Sequence, residues 1–282
     1  MDKILITGAS GFIGQYVVSL LKKNYEVCPM EGNILDTDFD SYIRGLRPQY
    51  LIHLAWITGD GYLDSFDNAR FLQKGIELYD TFYKYGGKRA IYVGTEQEYR
   101  RSERPLKETD QTSPVSFYAE CKADLGKILV QNSLRWGKGF IWGRLFFVYG
   151  AGEKPKRLMP SIIQGLLQEQ EVTCSCENYI RDYIYVEDVA SAIVTCLLSD
   201  YTGYVNIGSG QDISIGRIAD IAQKIIGGKG RILFKTHKEC GQFPHIQADV
   251  SLLKSLGWKQ QFTLEEGLKI EIRALMKLYE RY

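Results

Sequence analysis

Tyr118 and Lys122 stand four residues apart in a stretch that Pro114 opens and whose spacing predicts a helix ending near Trp136-Gly137. Both side chains therefore lie on one helical face. A tyrosine hydroxyl ordinarily has a pKa of about 10 and is a poor acid or base near neutrality. An ammonium group beside it favours the phenolate and brings the hydroxyl toward working pH. Thr95, at the C-terminal end of the apolar run Arg89 to Val93, can place a second hydroxyl on the same reacting oxygen. A Tyr-x-x-x-Lys pair is weak by itself, because 19 tyrosines in a chain this rich in lysine give about one by chance. Its weight comes from what precedes it.

That is the run Lys3-Ile4-Leu5-Ile6-Thr7-Gly8-Ala9-Ser10-Gly11-Phe12-Ile13-Gly14. A buried strand meets three glycines spaced G-x-x-G-x-x-G, and Val17, Val18, Leu20 and Leu21 continue at helical spacing. Gly8 lets the chain turn, Gly11 leaves room for a phosphate against the backbone, and Gly14 allows helix and strand to pack closely. The helix N-terminus then offers N–H groups and a partial positive charge to a pyrophosphate. These residues read as a dinucleotide site, and a positive nicotinamide ring would add to the charge that favours the Tyr118 phenolate.

The elements that position these groups follow in order. Tyr25 to Met30 is expected as a second strand ending at Glu31, an acid placed to accept from ribose hydroxyls and to repel a 2′-phosphate. No arginine occurs between Met1 and Tyr42, so the expected cofactor is NAD rather than NADP. A short helix from Asp38 to Leu46 precedes the strand Tyr50 to Ala55, where small Ala55 lets a cofactor approach and His53 reads as a hydrogen-bonded core residue. A glycine-bearing loop from Trp56 to Asp64, a helix from Ser65 to Tyr85 and the strand ending at Thr95 come next. The charged run Arg100 to Asp110 is expected as a solvated loop. Phe140 to Val148 is a further strand. Beyond Tyr149-Gly150 the alternation loosens into helices at 160–168, 186–198, 214–226 and 264–277, with strands at 204–208 and 231–234. The expected fold is a Rossmann-like doubly wound α/β sheet over 1–150, with part of 180–200 returning to it, and a smaller α/β substrate domain over 151–282.

Composition narrows the function class. Thirty-five Lys and Arg nearly balance 34 Asp and Glu, so no broad field favours nucleic acid or membrane. No apolar run approaches the ~20 residues of a spanning helix, and a chain that enters a strand at once leaves no room for a signal peptide. The expected location is the cytoplasm. The six cysteines show no repeated Cys-x-x-Cys, Cys174-Ser175-Cys176 reads as two ordinary thiols, and His53, His237 and His245 are not spaced to complete a metal site.

With these motifs in hand the sequence resembles the extended short-chain dehydrogenase/reductase family, the NAD(P)-dependent epimerases, dehydratases and reductases of nucleotide sugars. The likeness runs through Thr7 to Gly14, the Thr95/Tyr118/Lys122 triad, Arg144-Leu145-Phe146-Phe147-Val148-Tyr149-Gly150, Arg181 to Val189, and Asn206-Ile207-Gly208-Ser209-Gly210. The region from Arg181 onward is especially similar to nucleotide-sugar 4-ketoreductases of the CDP-abequose synthase type. The resemblance implies a cofactor set of Gly8, Ser10, Gly11, Phe12, Ile13, Gly14, Glu31, Asn33, Ile34, Leu54, Ala55 and Trp56 with Tyr118 and Lys122. It implies a nucleotide-sugar set of Thr95, Glu96, Phe147 and Arg181, no metal, and a homodimer. Three positions depart from the family pattern. The stretch between Met30 and Asp38 is short by a strand, Gln97 replaces the carboxylate of the 4,6-dehydratases, and Phe147 stands where many members have asparagine. The leading expectation is a 4-ketoreductase, the alternative a nucleotide-sugar epimerase. A non-catalytic nucleotide-binding protein is the third class.

Overall fold

Strand β1 (Lys3–Thr7) is apolar on both faces because helices cover it on both sides, with Ile4 and Ile6 facing one layer and Leu5 the other. In this computed structural model, residues 1–236, 238, 240 and 244–279 are described; His237 lies outside them. The chain continues through α1 (Gly14–Leu21), β2 (Glu26–Pro29), α2 (Phe39–Leu46), β3 (Tyr50–His53), α3 (Asp67–Lys84), β4 (Arg89–Thr95), α4 (Phe117–Trp136) and β5 (Gly139–Leu145). It then forms β6 (Phe147–Tyr149), α5 (Leu158–Leu167), β7 (Glu171–Cys174), β8 (Ile180–Arg181), β9 (Tyr183–Tyr185), α6 (Val186–Leu198) and β10 (Gly203–Ile207). The last elements are β11 (Ile213–Ser214), α7 (Ile215–Ile226), β12 (Arg231–Phe234), β13 (His245–Ile246), α8 (Ser251–Ser255) and α9 (Leu264–Tyr279).

Six strands make one parallel sheet in the order β2-β1-β3-β4-β5-β10. Helices α2, α3 and α4 bury Phe39, Leu78, Phe82, Leu125 and Leu129 on one face, while α1 and α6 bury Val17, Leu21, Val189 and Ile193 on the other. The doubly wound architecture expected from the sequence is present. The direction of winding reverses at β1, so a crevice opens beyond the C-terminal ends of β1 and β3, where such sheets bind ligands. Between β2 and α2 there is only a 3-10 turn, Ile34–Asp36, and β2 is the sheet edge; this is where the sequence is short. A third core gathers Tyr149, Met159, Ile162, Tyr183, Ile218 and Leu268 from β6, α5, β9, α7 and α9.

Three expectations are corrected. The Phe140–Val148 strand is two strands broken at Phe146: its N–H makes the last bond to β10, at the Ile207 carbonyl (3.0 Å), and the next N–H, of Phe147, turns to the Asp182 carbonyl (3.0 Å) as the chain passes to β9. The Arg100–Asp110 run is not simply solvated. Leu106 is 1% exposed and exchanges main-chain bonds with Gln247 and Asp249, and Glu108 accepts from the Asn206 N–H at 2.9 Å. One buried leucine pins a charged loop across the outer edge of the sheet. Finally, Cys176 is bonded to Cys240, 64 residues away, while Cys174 is a buried free thiol.

Candidate active site

The glycine turn explains itself residue by residue. Gly8 has φ +69°, and a Cβ there would lie 2.8 Å from the Ala55 nitrogen at the end of β3. Only glycine therefore lets β1 and β3 deliver their C-termini side by side. A Cβ on Gly14 would press on the carbonyl oxygens of Gly8 and Ala9, so the helix can rest on the turn only without one. Gly11 differs. Its N–H donates to Gly8 (3.0 Å), a Cβ would meet only the Gly8 oxygen at 3.2 Å, and Ser10 and Gly11 face outward. No side chain caps α1; the Gln15 and Tyr16 N–H groups bond the Gly11 and Ile13 carbonyls, so the exposed turn and the positive end of the helix face an open cradle that suits a pyrophosphate. These residues fit a dinucleotide.

The floor of the crevice is polar, and His53 Nε2 is buried in it with no partner among the described residues. The Thr7 hydroxyl lies 2.7 Å from His53 Nδ1 and accepts from the Ala55 N–H at 3.3 Å. His53 is the core histidine the sequence implied, and burial drives its pKa down to about 3, with Lys122 adding to the effect. Glu31 is exposed just past β2. Asn33 Oδ1 caps the 3-10 turn by accepting from the Leu35 N–H, and Ile34 is buried beside Leu5 and Met30.

The triad forms where β4 and α4 converge. Ser116 caps α4 by accepting from the Ala119 N–H, and the Leu63 carbonyl takes the Tyr118 N–H at 2.8 Å. Tyr118 faces the Thr95 side chain; desolvation first, then Tyr62, Glu98 and Glu96, push its hydroxyl above the ordinary tyrosine range, with Thr95 opposing the rise. Its ring meets Tyr62 edge-on at 5.1 Å and Trp56 at 6.4 Å. Lys122 is 3% exposed and donates to the Val93 carbonyl at 2.8 Å, with its ammonium 3.7 Å from the Trp56 ring centre. Burial brings it down to about 7, with Glu98 opposing the fall. Thr95, Tyr118, Lys122 and Trp56 are thus brought together.

The second cluster surrounds Arg181. Its guanidinium lies 5.7 Å from the Phe147 ring and 5.3 Å from Tyr179, and donates to the Ile180 carbonyl. Its neighbour Asp182 is not an ion-pair partner. That buried carboxylate accepts from Ser209 N (2.6 Å), Ser209 Oγ (2.8 Å), Gly210 N (2.9 Å) and Ala248 N (3.0 Å), tying β8 to two loops. The Cys176–Cys240 bond ties the chain before β8 to the chain before β13, whose His245 and Ile246 pair with Ile180 and Arg181. Glu96 is buried and ion-paired with Arg101; burial raises its pKa, and Arg101 and Arg181 pull it back. Among the described residues no group of three or more His, Cys, Asp or Glu side chains is placed to hold a metal ion.

Sequence reading passed over Glu98, Trp142 and Arg144. Glu98 Oε1 accepts from the Thr95 N–H (2.9 Å) and the Trp142 indole (3.0 Å), and Oε2 from Arg144 Nε (2.8 Å). The signal was available: Thr95-Glu96-Gln97-Glu98 is a capping box, in which the threonine side chain and the acid three residues later satisfy each other's main chain.

A parallel sheet with a glycine turn at its switch point, a Thr/Tyr/Lys triad beside it and a guanidinium across the crevice define a dinucleotide-binding enzyme of the Rossmann class. Residues 4–208 match the model of the NAD dependent epimerase/dehydratase family, and the chain belongs to that family. It is 27% identical to a putative UDP-glucose 4-epimerase of Methanocaldococcus jannaschii, over 94% of this chain and 96% of the relative. It is 24% identical to the CDP-abequose synthase of Salmonella muenchen, over 95% and 96%. The solved UDP-glucose 4-epimerase of Thermotoga maritima, in complex with UDP-glucose, superposes with a TM-score of 0.88 at 26% identity, over 98% of this chain and 99% of that one. The chain is therefore an enzyme of the NAD-dependent epimerase/dehydratase family, whose nucleotide-sugar members include both epimerases and synthases.

Proposed function

We propose that this chain reduces the 4-keto group of a nucleotide-linked deoxysugar. The observation that carries the reading is the fate of the three residues after Thr95. Gln97 has no carboxylate, Glu96 is held by Arg101, and Glu98 is buried against Trp142 and Arg144. None of the three is a base available to strip a proton from carbon, so dehydration is disfavoured. A ketone needs only a hydride and a proton. Tyr118, held protonated by its surroundings, is a proton donor in waiting, which suits the reductive direction.

The cradle at Gly8, Gly11 and Gly14 holds NAD(H), with Glu31 favouring NAD over NADP. When bound, the reduced nicotinamide supplies the hydride to the carbonyl carbon. Tyr118 gives its phenolic proton to the carbonyl oxygen, and the Thr95 hydroxyl donates a hydrogen bond to that oxygen as charge develops on it. The Lys122 ammonium stabilises the phenolate left behind until it regains a proton from solvent. Arg181 takes the diphosphate of the sugar nucleotide, since a planar guanidinium matches phosphate oxygens in pairs. Phe147, in contact range of Arg181, offers an apolar face in place of a polar one. We assign residues 151–282 to the nucleotide sugar, except for the stretch that returns to the sheet.

The second reading is a 4-epimerase, favoured by the likeness to the two UDP-glucose 4-epimerases; the same triad would oxidise and then re-reduce one carbon. The assay that separates them offers a 4-keto-6-deoxy sugar nucleotide with NADH and follows the absorbance of the reduced nicotinamide. Stoichiometric loss of NADH with formation of the 4-hydroxy sugar is the expected result. Interconversion of saturated sugar nucleotides with no net loss of NADH would replace the reductase by the epimerase.

A further inference from the structure

Beneath the triad lies a buried ionic layer built from residues outside the proposed cofactor and substrate sets. Glu98 is 0% exposed. Its carboxylate accepts from the Thr95 main chain, the Trp142 indole and Arg144, and the Arg144 guanidinium is stacked between Tyr99 (4.4 Å) and Tyr204 (4.2 Å). Two glycines make room for this layer. A Cβ on Gly94 would collide with Glu98 Oε1 and the Trp142 indole nitrogen, and one on Gly126 would lie 2.7 Å from the indole ring. Gly94 directly precedes Thr95, and Gly126 is one helical turn beyond Lys122.

A buried ion pair contributes little net stability relative to apolar residues of similar volume, because desolvating two charges offsets their attraction. Its location therefore matters more than its strength. Thr95 cannot move along β4 without breaking the Glu98 bond to its N–H. Lys122 also has few sources of negative charge. From β3 it faces His53, which is neutral at pH 7. From β4 it faces the Val93 carbonyl, and otherwise the rings of Trp56 and Trp142. On its own helix Tyr118 is an uncharged phenol, and Arg144 is cationic. Glu98 is the acid that opposes the fall of Lys122, and both stand against one side chain: the carboxylate accepts from the Trp142 indole at 3.0 Å, and the ammonium lies 5.9 Å from the centre of the same ring.

We propose that Glu98 is a positioning residue for the triad: its carboxylate fixes Thr95 at the strand end through the main-chain N–H and is the counter-charge that keeps Lys122 an ammonium ion in its buried site. The inference rests on the assignment of Thr95 and Lys122 to the reaction, and its test needs no substrate. In 15N-lysine-labelled protein the Lys122 Nζ resonance, identified by its loss in Lys122→Met, is titrated in the absence of cofactor. Removing an opposite charge within the same buried layer moves a pKa by about 1 unit or more, so Glu98→Gln should lower the Lys122 midpoint by about one unit. Glu98→Asp, which keeps the charge, should restore most of it. An unmoved midpoint in folded Glu98→Gln overturns the proposal. If Glu98→Gln does not fold because Arg144 is left uncompensated, Glu98→Gln/Arg144→Gln removes both charges and should show a smaller fall in the same direction, since losing the cation offsets part of it; no fall there overturns the proposal. The expected shift in a protein that turns over no 4-keto sugar would refute the reductase assignment and leave Glu98 in its role.

Discussion

Positions 11 and 14 are both glycine, both in one turn, and the structure gives them separable tasks. Alanine at position 14 would place Cβ 2.7 Å from the Ala9 oxygen and nearer still to the Gly8 oxygen, where ordinary contact begins at 3.4 Å. Both obstacles are main-chain atoms, so no rotamer relieves them and α1 must move off the turn. Overpacking of this kind costs about 1–3 kcal/mol, and the upper end applies because the backbone is rigid here. Replacing glycine within a helix returns up to about 1 kcal/mol, which leaves a net loss of about 2 kcal/mol. For a chain of this size that lowers the melting temperature by roughly 4–8 °C. Gly11→Val should behave oppositely. Gly11 is not among the glycines with positive φ, and its only close neighbour is one oxygen at 3.2 Å. The fold should tolerate the side chain, which then stands in the open cradle where the pyrophosphate is expected. Thermal unfolding by circular dichroism and NADH titration by fluorescence measure the two effects separately. A Gly14→Ala protein melting within about 2 °C of wild type, or a Gly11→Val protein binding NADH as wild type does, would refute this reasoning.

Tyr118→Phe should bind NADH normally and lose ~10²–10⁴-fold in turnover, the range for a general acid; near-wild-type turnover would remove Tyr118 from its role. Glu31→Ala should narrow the preference for NADH over NADPH, and equal affinity of the wild type for both would show that Glu31 does not discriminate. Burial holds His53 at about 3 in the folded chain against 6.5 ordinarily, so the unfolded chain binds the proton first and stability is lost as pH falls from 6.5 toward 3. Urea unfolding of His53→Leu should show a flatter acid limb than wild type. Glu271 has the opposite sign: buried with both carboxylate oxygens lacking partners, it is pushed up to about 8 from 4.5, so stability falls as pH rises through that window. Glu271→Gln should be the more stable protein at pH 8, by about 2–4 kcal/mol, and an unchanged urea midpoint there would count against a protonated Glu271.

The parts legible in the sequence were those whose physics is local. The β1 turn and α1 fall within one contiguous run, and Tyr118 and Lys122 share a helix face that Ser116 and Gly137 bound. What could not be read depends on residues distant in sequence. Cys176 finds Cys240 across 64 residues, and spacing cannot pair cysteines. Leu106 sits amid charges and looks solvated until Gln247 and Asp249 arrive to bond it. The strand is interrupted at Phe146 because Phe147 turns its N–H to Asp182 and pairs with β9, not because either residue type breaks strands. Glu98 reads as one more surface acid in a polar stretch, because a buried acid is recognised by its partners, and Trp142 and Arg144 lie on a strand more than forty residues later.

The placement of β10 has a consequence for how the chain is made. Its register against β5, Gly203 opposite Ile141 through Ile207 opposite Leu145, closes the nucleotide-binding sheet with residues that follow much of the opposite half. A nascent chain that has emerged only as far as β5 therefore exposes the edge of that strand, with its main-chain donors and acceptors unmatched, while the intervening elements are still being synthesised. Exposed edges of this kind are where chains pair wrongly with one another. A fragment ending near residue 150 would retain that edge permanently. The sheet cannot be finished until the chain that crosses the opposite half has returned.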